Sequence, residues 1–228
     1  MLTAAVARRT ASEDPAQEAA ALRAAIEGAR AEIAEQIKTI QGEVADILKF
    51  HAVMLENDPL AVAAYEVISI GITADRAWRL ALDVEIAGYR DAEDEYFRAR
   101  AADIVDIRDR VLAHLCGVDT VARVIGGSIV AADDITPSAF LAADWSHGGA
   151  ITLAAGSPFS HVAMLARARG TPMVVGLGPL SWIGQPPTLA LVDGDAGSVI
   201  FDPEPETRRL FEQRIVAANA AFNQRRGP

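Results

Sequence analysis

The chain has 228 residues, 51% of them hydrophobic, with 21 basic and 31 acidic residues and a formal net charge of −10. That length accommodates one large or two modest domains, and two are expected. The acidity argues against nonspecific nucleic-acid binding, which requires Lys and Arg to neutralise phosphates, and favours a basic protein partner.

One cysteine, Cys116, excludes an intrachain disulfide framework and a cysteine-rich metal site. Met1–Ala7, followed by Arg8-Arg9, does not read as a signal peptide, and no apolar run approaches the roughly 20 residues that span a bilayer. The expected compartment is cytoplasmic.

Up to Gly117 the chain reads as helices. Asp14-Pro15 forms a cap and first-turn pair, after which Leu22, Ile26, Ala29, Ile33, Ile37 and Ile40 recur at three- and four-residue steps, predicting one long amphipathic helix. A second helix through Val44, Ile47, Leu48 and Leu55 ends at Asn57-Asp58-Pro59. A short helix follows over Leu60–Ile70, and a long one from about Thr73 to Leu115 carries Trp78, Leu82, Ile86, Tyr89, Ile104, Ile107 and Leu112. Such helices pack as antiparallel hairpins or a bundle.

Beyond Gly117 short strands alternate with short helices. Strands are predicted at Ser128–Ala132, Ala150–Leu153, Met173–Val175, Leu189–Val192 and Ser198–Phe201, and helices at Pro137–Ala143, Ser160–Arg169 and Glu204–Asn223. The fold class is therefore α/β plus all-α. The expected division is a lead-in over residues 1–15, a helical subdomain over 16–117, an α/β subdomain over 118–203 and a terminal linker helix over 204–228.

His161 stands where a turn of small residues becomes a helix ended by Gly170, with Pro172 as a stop signal. Backbone N–H groups of a first helical turn lack intrahelical partners and carry the positive end of the helix dipole, so an anion there meets ready donors. A neutral imidazole can attack phosphorus at physiological pH.

The run Ser160-His161-Val162-Ala163-Met164-Leu165-Ala166-Arg167, followed by Gly170-Thr171-Pro172-Met173-Val174-Val175-Gly176, resembles the phosphohistidine signature of the phosphoenolpyruvate-utilising enzymes. Three further stretches narrow the likeness to the amino-terminal half of the phosphoenolpyruvate-protein phosphotransferases, the enzyme I family of the sugar phosphotransferase system. They are Phe50–Asp58 (FHAVMLEND), Asp94–Ile107 (DEYFRARAADIVDI) and Val130–Ser138 (VAADDITPS). The resemblance implies a swivelling β/β/α phosphohistidine domain with an inserted helical bundle that binds the histidine-containing phosphocarrier protein, HPr.

The same resemblance makes His161 the phosphate acceptor, with Gly156, Ser160, Thr136 and Arg167 supporting the phosphate site. Ser160 read alone is an N-cap, and Thr136 a hydroxyl starting a helix; the family pattern adds a hydrogen bond from Thr136 to the active imidazole. Arg167 lies six residues beyond His161, roughly 120° around the helix, which favours a structural salt bridge over direct phosphate contact. Glu43, Asp46, His51, Met54 and Asp58, with Arg100 nearby, are implied as the partner-binding face. Asp103, Asp106 and Asp109 are read as a solvated helix face, and His114 and His147 receive no role.

The family usually carries Gly-Gly, a variable residue and Thr-Ser-His where this chain has Gly156-Ser157-Pro158-Phe159-Ser160-His161, so only Gly156, Ser160 and His161 keep their places. The amino-terminal strand with Ser-Pro-Gly has at most a remnant in Leu2–Arg8. The carboxy-terminal barrel that binds phosphoenolpyruvate and Mg²⁺ in the family has no counterpart, so no cofactor is expected in this chain and the complete pyruvate-releasing reaction is not expected from it alone. The alternatives are the phosphohistidine domain of a dikinase or phosphoenolpyruvate synthase, and a noncatalytic interaction module.

Overall fold

The structure is a computed structural model that describes residues 11–39, 42–56, 60–117, 127–179 and 187–225. Ile40, Asp58 and the Leu2–Arg8 lead-in lie outside the described residues, as does the side chain of Glu43.

The first helix, α1 (Pro15–Thr39), begins where predicted: Asp14 Oδ1 accepts the Ala16 N–H at 2.9 Å and Pro15 occupies the first helical position. Leu22, Ile26, Ala29 and Ile33 form its buried stripe. Buried Glu18 reaches out of this helix and accepts the Ala74 N–H at 2.7 Å, capping the next long helix from a distance in sequence. Helices α2 (Glu43–Glu56), α3 (Val62–Ser69) and α4 (Ala74–Arg90) pack with α1 around Leu48, Leu55, Ile68, Trp78, Leu82 and Ile86.

The long helix predicted over Thr73–Leu115 is in fact three. After α4 come a single turn, α5 (Glu95–Arg98), and then α6 (Ala101–Cys116). Neither Gly nor Pro marks the break. Instead Asp94 accepts the Tyr96 N–H at 2.7 Å, and the Arg98 guanidinium donates to the carbonyls of Ala92 and Glu93 at 2.8 and 2.6 Å, satisfying groups a continuous helix would have paired. The break sets the start of α6, with Arg100 and Asp103, against the second half of the chain.

That half holds a parallel sheet of β1 (Ile129–Ala132), β2 (Ala150–Leu153) and β3 (Met173–Val174) in that order, Ile129 opposite Ala150 and Ile151 opposite Met173. β4 (Ala190–Asp193) and β5 (Ser198–Phe201) form a separate antiparallel hairpin. Helices α7 (Pro137–Ala142) and α8 (His161–Arg169) follow β1 and β2, and α9 (Pro205–Arg225) ends the described chain. All four residues of β2 are buried, as a central parallel strand requires.

Phe140, Ile151, Leu153, Val162 and Leu165 form a second core, and Ile47 from α2 is part of it. The same helix thus faces both cores, with Leu48 in the first and Ile47 in the second. No helix among the described residues is long and apolar enough to cross a membrane.

Candidate active site

His161 opens α8. Ser160, extended at φ −67° and ψ 153°, caps the helix by accepting the Ala163 N–H on Oγ at 3.2 Å. The turn between β2 and α8 is tied to β1 and its following loop through Ala154 N–H to Ala132 O (2.9 Å) and Ala155 N–H to Asp133 O (2.8 Å). Gly156 follows at φ +83°, a conformation that favours glycine.

The imidazole reaches away from the core that α8 packs on and meets the helical half. Nδ1 lies 3.0 Å from Asp103 Oδ1, and Nε2 lies 2.5 Å from an Arg100 guanidinium nitrogen. A guanidinium can only donate and a carboxylate can only accept, so the network assigns the ring proton to Nδ1 and a lone pair to Nε2. The Phe50 ring stands edge-on to His161 with centroids 6.1 Å apart, and the side chain of His161 is 14% exposed. Tyr96 lies under the Arg100 guanidinium, 4.4 Å from its carbon to the ring centroid.

Behind His161 is a buried charge network. Asp103, 1% exposed, also faces His51 Nε2 at 3.2 Å through the same Oδ1, and lies 3.5 Å from Arg100 through Oδ2. His51 Nδ1 is 3.4 Å from Asp106 Oδ2. Asp106 accepts from Ser138 Oγ and lies 3.7 Å from Arg110, which in turn pairs with Glu32. Burial alone pushes the Asp103 carboxyl up, but the hydrogen bonds from His161 and His51, reinforced by their charge, outweigh it and lower the group from 3.8 to about 2. Asp103 is therefore a carboxylate at neutral pH.

These contacts also join the two halves of the chain. Ser157 Oγ in the turn donates to Glu95 Oε1 on α5 at 3.1 Å, so the Ser157-Pro158-Phe159 departure from the family pattern contributes one of the links.

Several expected roles change. His51 is 0% exposed, so it does not sit on a partner-facing surface; its Nε2 hydrogen-bonds Asp103, while Nδ1 stands 3.4 Å from Asp106 Oδ2 without a hydrogen bond. Arg100 is also buried and points at His161 rather than at solvent. Asp103 and Asp106 are not a solvated face, because α6 packs on both the helical core and the α/β half; Asp109 alone of the three acids remains at the surface side, paired with Arg108.

Thr136 caps α7, its Oγ1 accepting the Ala139 N–H at 3.3 Å; the imidazole nitrogens it was expected to reach are taken by Asp103 and Arg100. Arg167 donates to the Pro158 carbonyl at 3.0 Å, bracing the turn before His161 in place of the expected salt bridge. Met54 packs partly buried against the helical core, while Asp46 is exposed and pairs with Lys49. Asp58 and the Glu43 side chain cannot be placed on that face, since they lie outside the described residues. His114 pairs with Glu32, and His147 with Asp144.

Sequence reasoning missed Asp103, Asp106, Phe50 and Ser138. The available signal was the three- and four-residue spacing of Arg100, Asp103, Asp106 and Arg110, two carboxylates flanked by two guanidiniums on one helical face. No group of three or more His, Cys, Asp or Glu residues among those described could hold a metal ion. Asp103 Oδ1 is engaged by two imidazoles and Asp106 Oδ1 by the Ser138 hydroxyl, while Asp106 Oδ2 makes no hydrogen bond among the described residues.

Comparison with known proteins agrees with this architecture. Residues 2–100 match the model "PEP-utilising enzyme, N-terminal" and residues 124–197 match "PEP-utilising enzyme, mobile domain". Phosphoenolpyruvate-protein phosphotransferase of Bacillus subtilis strain 168 is 30% identical over 78% of this chain and 32% of its own length. The protein of the same name from Streptomyces coelicolor is 30% identical over 97% of the chain and 40% of its length. The chain thus spans about a third to two-fifths of these curated relatives.

Among solved structures, an Enzyme I protein determined by NMR superposes with a TM-score of 0.59 at 26% identity, covering 93% of this chain and 90% of that one. The N-terminal domain of Enzyme 1 - Nitrogen shares the fold, with a TM-score of 0.52 at 23% identity and coverage of 92% and 88%. With two models of one family lying over about three quarters of its residues, the chain belongs to the phosphoenolpyruvate-utilising enzymes.

Proposed function

We propose that this chain is the phosphoryl-transfer module of a phosphoenolpyruvate-dependent phosphotransferase system, with His161 Nε2 as the acceptor. The observation that carries this reading is the polarised imidazole: Nδ1 facing buried Asp103, Nε2 facing Arg100, at the first turn of α8. The Nε2 lone pair forms a bond to phosphorus as the bond to the donor's leaving oxygen or imidazole nitrogen breaks. The positive charge that grows on the ring is stabilised through Nδ1–H by the Asp103 carboxylate. The reverse step returns the phosphoryl group to a carrier histidine. The chain's own contribution is positioning and charge stabilisation.

Arg100 has two parts in this scheme. At rest it donates to the Nε2 lone pair; during transfer that position goes to phosphorus, and the guanidinium moves to the phosphoryl oxygens, for which its fork is suited. Stabilisation of transferring charge outweighs the single resting hydrogen bond. Arg100→Ala is therefore expected to slow transfer by about 10²- to 10³-fold, the usual cost of losing one preorganised donor to a developing anion, with Arg100→Lys recovering part of the rate. Stopped-flow transfer from a phosphorylated carrier checks this, and a faster Arg100→Ala variant would make Arg100 a block on the nucleophile.

The partner is a small basic histidine-phosphorylated carrier, HPr or an HPr-like domain. It docks beside His161, where Phe159, Tyr96 and Phe97 are exposed, and along the outer stripe of α2 formed by Asp46, Lys49, Val53 and Glu56. Phosphoenolpyruvate and Mg²⁺ would be handled by the carboxy-terminal domain of the relatives. The test is incubation of the whole chain with phosphorylated carrier followed by intact-mass measurement. A gain of one phosphoryl group that is acid-labile and alkali-stable is expected; no gain, or an acid-stable one, rejects the proposal.

A further inference from the structure

His51 is a fully buried ionisable side chain that the reaction above does not use. Its surroundings are specific. Nε2 lies 3.2 Å from Asp103 Oδ1, the same oxygen that faces His161 Nδ1 at 3.0 Å, and Nδ1 lies 3.4 Å from Asp106 Oδ2. Around this chain of groups stand Arg100 beside Asp103, Arg110 and Ser138 beside Asp106, Glu32 beside Arg110, and the Phe50 ring, 6.1 Å from both imidazoles.

We propose that His51 is a positioning residue for His161, acting through Asp103: the His51 Nε2–H fixes the carboxylate so that Oδ1 faces His161 Nδ1. This rests on the reading of His161 as the phosphoryl acceptor.

The argument is one of donors and acceptors. A carboxylate only accepts, so each imidazole nitrogen facing Asp103 supplies a proton. Two donors converging on Oδ1 from α2 and α8 oppose rotation of the carboxylate toward Arg100, which approaches Oδ2 only at 3.5 Å. With Oδ1 held, the ring proton of His161 stays on Nδ1 and the lone pair stays on Nε2. Without His51 the carboxylate is free to turn both oxygens to the guanidinium, a stronger bidentate partner. The proton of His161 is then no longer confined to Nδ1.

His51 lies on α2 and Asp103 on α6, so the helical half supplies the groups that orient the acceptor as well as a surface for a partner. A histidine that merely filled space there would influence melting but not the tautomer of a ring to which it is not bonded.

The experiment uses the whole chain labelled with ¹⁵N-histidine. Long-range proton–nitrogen correlation reads the tautomer of each ring, and single-turnover transfer from phosphorylated carrier is followed from pH 5.5 to 8.5. Wild type is expected to carry protons on His161 Nδ1 and His51 Nε2. His51→Gln retains one amide donor and His51→Leu none. Transfer is expected to fall on the order of 10- to 100-fold in His51→Leu, the scale of loss when an outer partner orienting a functional imidazole is removed, and less in His51→Gln. The His161 tautomer should mix in the same order, and the pH profile should change shape in His51→Leu.

Unchanged tautomer, rate and pH profile in both folded variants overturn the positioning role while leaving His161 as acceptor. If neither variant folds, the wild-type spectrum decides: a His51 Nε2 without a proton, or a His161 proton on Nε2, overturns it. A chain that takes no phosphate, yet whose His161 tautomer still depends on His51, defeats the acceptor reading and leaves the positioning role standing.

Discussion

Replacing His161 by alanine is expected to abolish phosphoryl labelling outright, with the helical circular dichroism signal unchanged. The chain has four histidines, and the other three are poorly placed to substitute. His51 is enclosed, with both ring nitrogens facing carboxylates that would repel an incoming phosphoryl group. His114 and His147 are directed at Glu32 and Asp144 at 2.9 and 3.2 Å, again against negative charge. Only His161 combines a helix N-terminus with a cationic neighbour at one ring nitrogen and a carboxylate at the other. The fold should survive, because the ring lies at the edge of its core while Val162 and Leu165 carry the packing of α8. Intact-mass analysis after incubation with phosphorylated carrier checks the result, and wild-type labelling of the variant would remove His161 from the reaction.

The second large effect is expected at Asp103. Asp103→Asn preserves shape but removes the charge that balances the imidazolium formed as phosphorus bonds to Nε2. If the amide turns its NH₂ toward His161 Nδ1, it also demands the wrong tautomer. Loss of the analogous orienting carboxylate in serine hydrolases costs about 10⁴-fold. A fall of about 10³-fold or more in single-turnover transfer is expected here, with carrier affinity little changed. A fall below about tenfold would mean the tautomer is set elsewhere.

Asp103 also carries a stability signature of definite sign. Its folded value of about 2 lies below the ordinary 3.8, so the carboxylate stabilises the fold above about pH 4 and loses that contribution as the pH falls through about 2. At 1.36 kcal/mol per pH unit the contribution is about 2 kcal/mol. Denaturant unfolding between pH 4 and 2 should show this loss in wild type and lack it in Asp103→Asn.

Where local chemistry decides, the sequence is readable. Asp14-Pro15 starts α1, Ser160 and Gly170 bound α8, and β2 and β5 occupy their predicted residues, because caps, stops and β-branched runs are short-range signals. The division of Thr73–Leu115 was not readable, since its break depends on the Asp94 and Arg98 side chains bonding backbone groups that could equally have continued a helix.

The site shows the same split. His161 is marked by its own segment. Its partners lie 58 and 61 residues away, on a helix whose Ile104, Ile107 and Val111 face one core while Asp103, Asp106 and Arg110 are buried toward other elements. Polar residues alternating with an apolar stripe look like a solvated surface until a second layer is known to cover them. His51 follows the same pattern, because α2 faces both cores and a polar residue on it is covered from two sides.

The most direct test of the account is to identify the nitrogen that carries the phosphate. The whole chain, labelled with ¹⁵N-histidine and phosphorylated by its carrier, would be examined by ³¹P and long-range proton–nitrogen NMR. Phosphate on Nε2 of His161, with the remaining ring proton on Nδ1, is the predicted result. Phosphate on Nδ1, on another histidine, or on no histidine at all would contradict it.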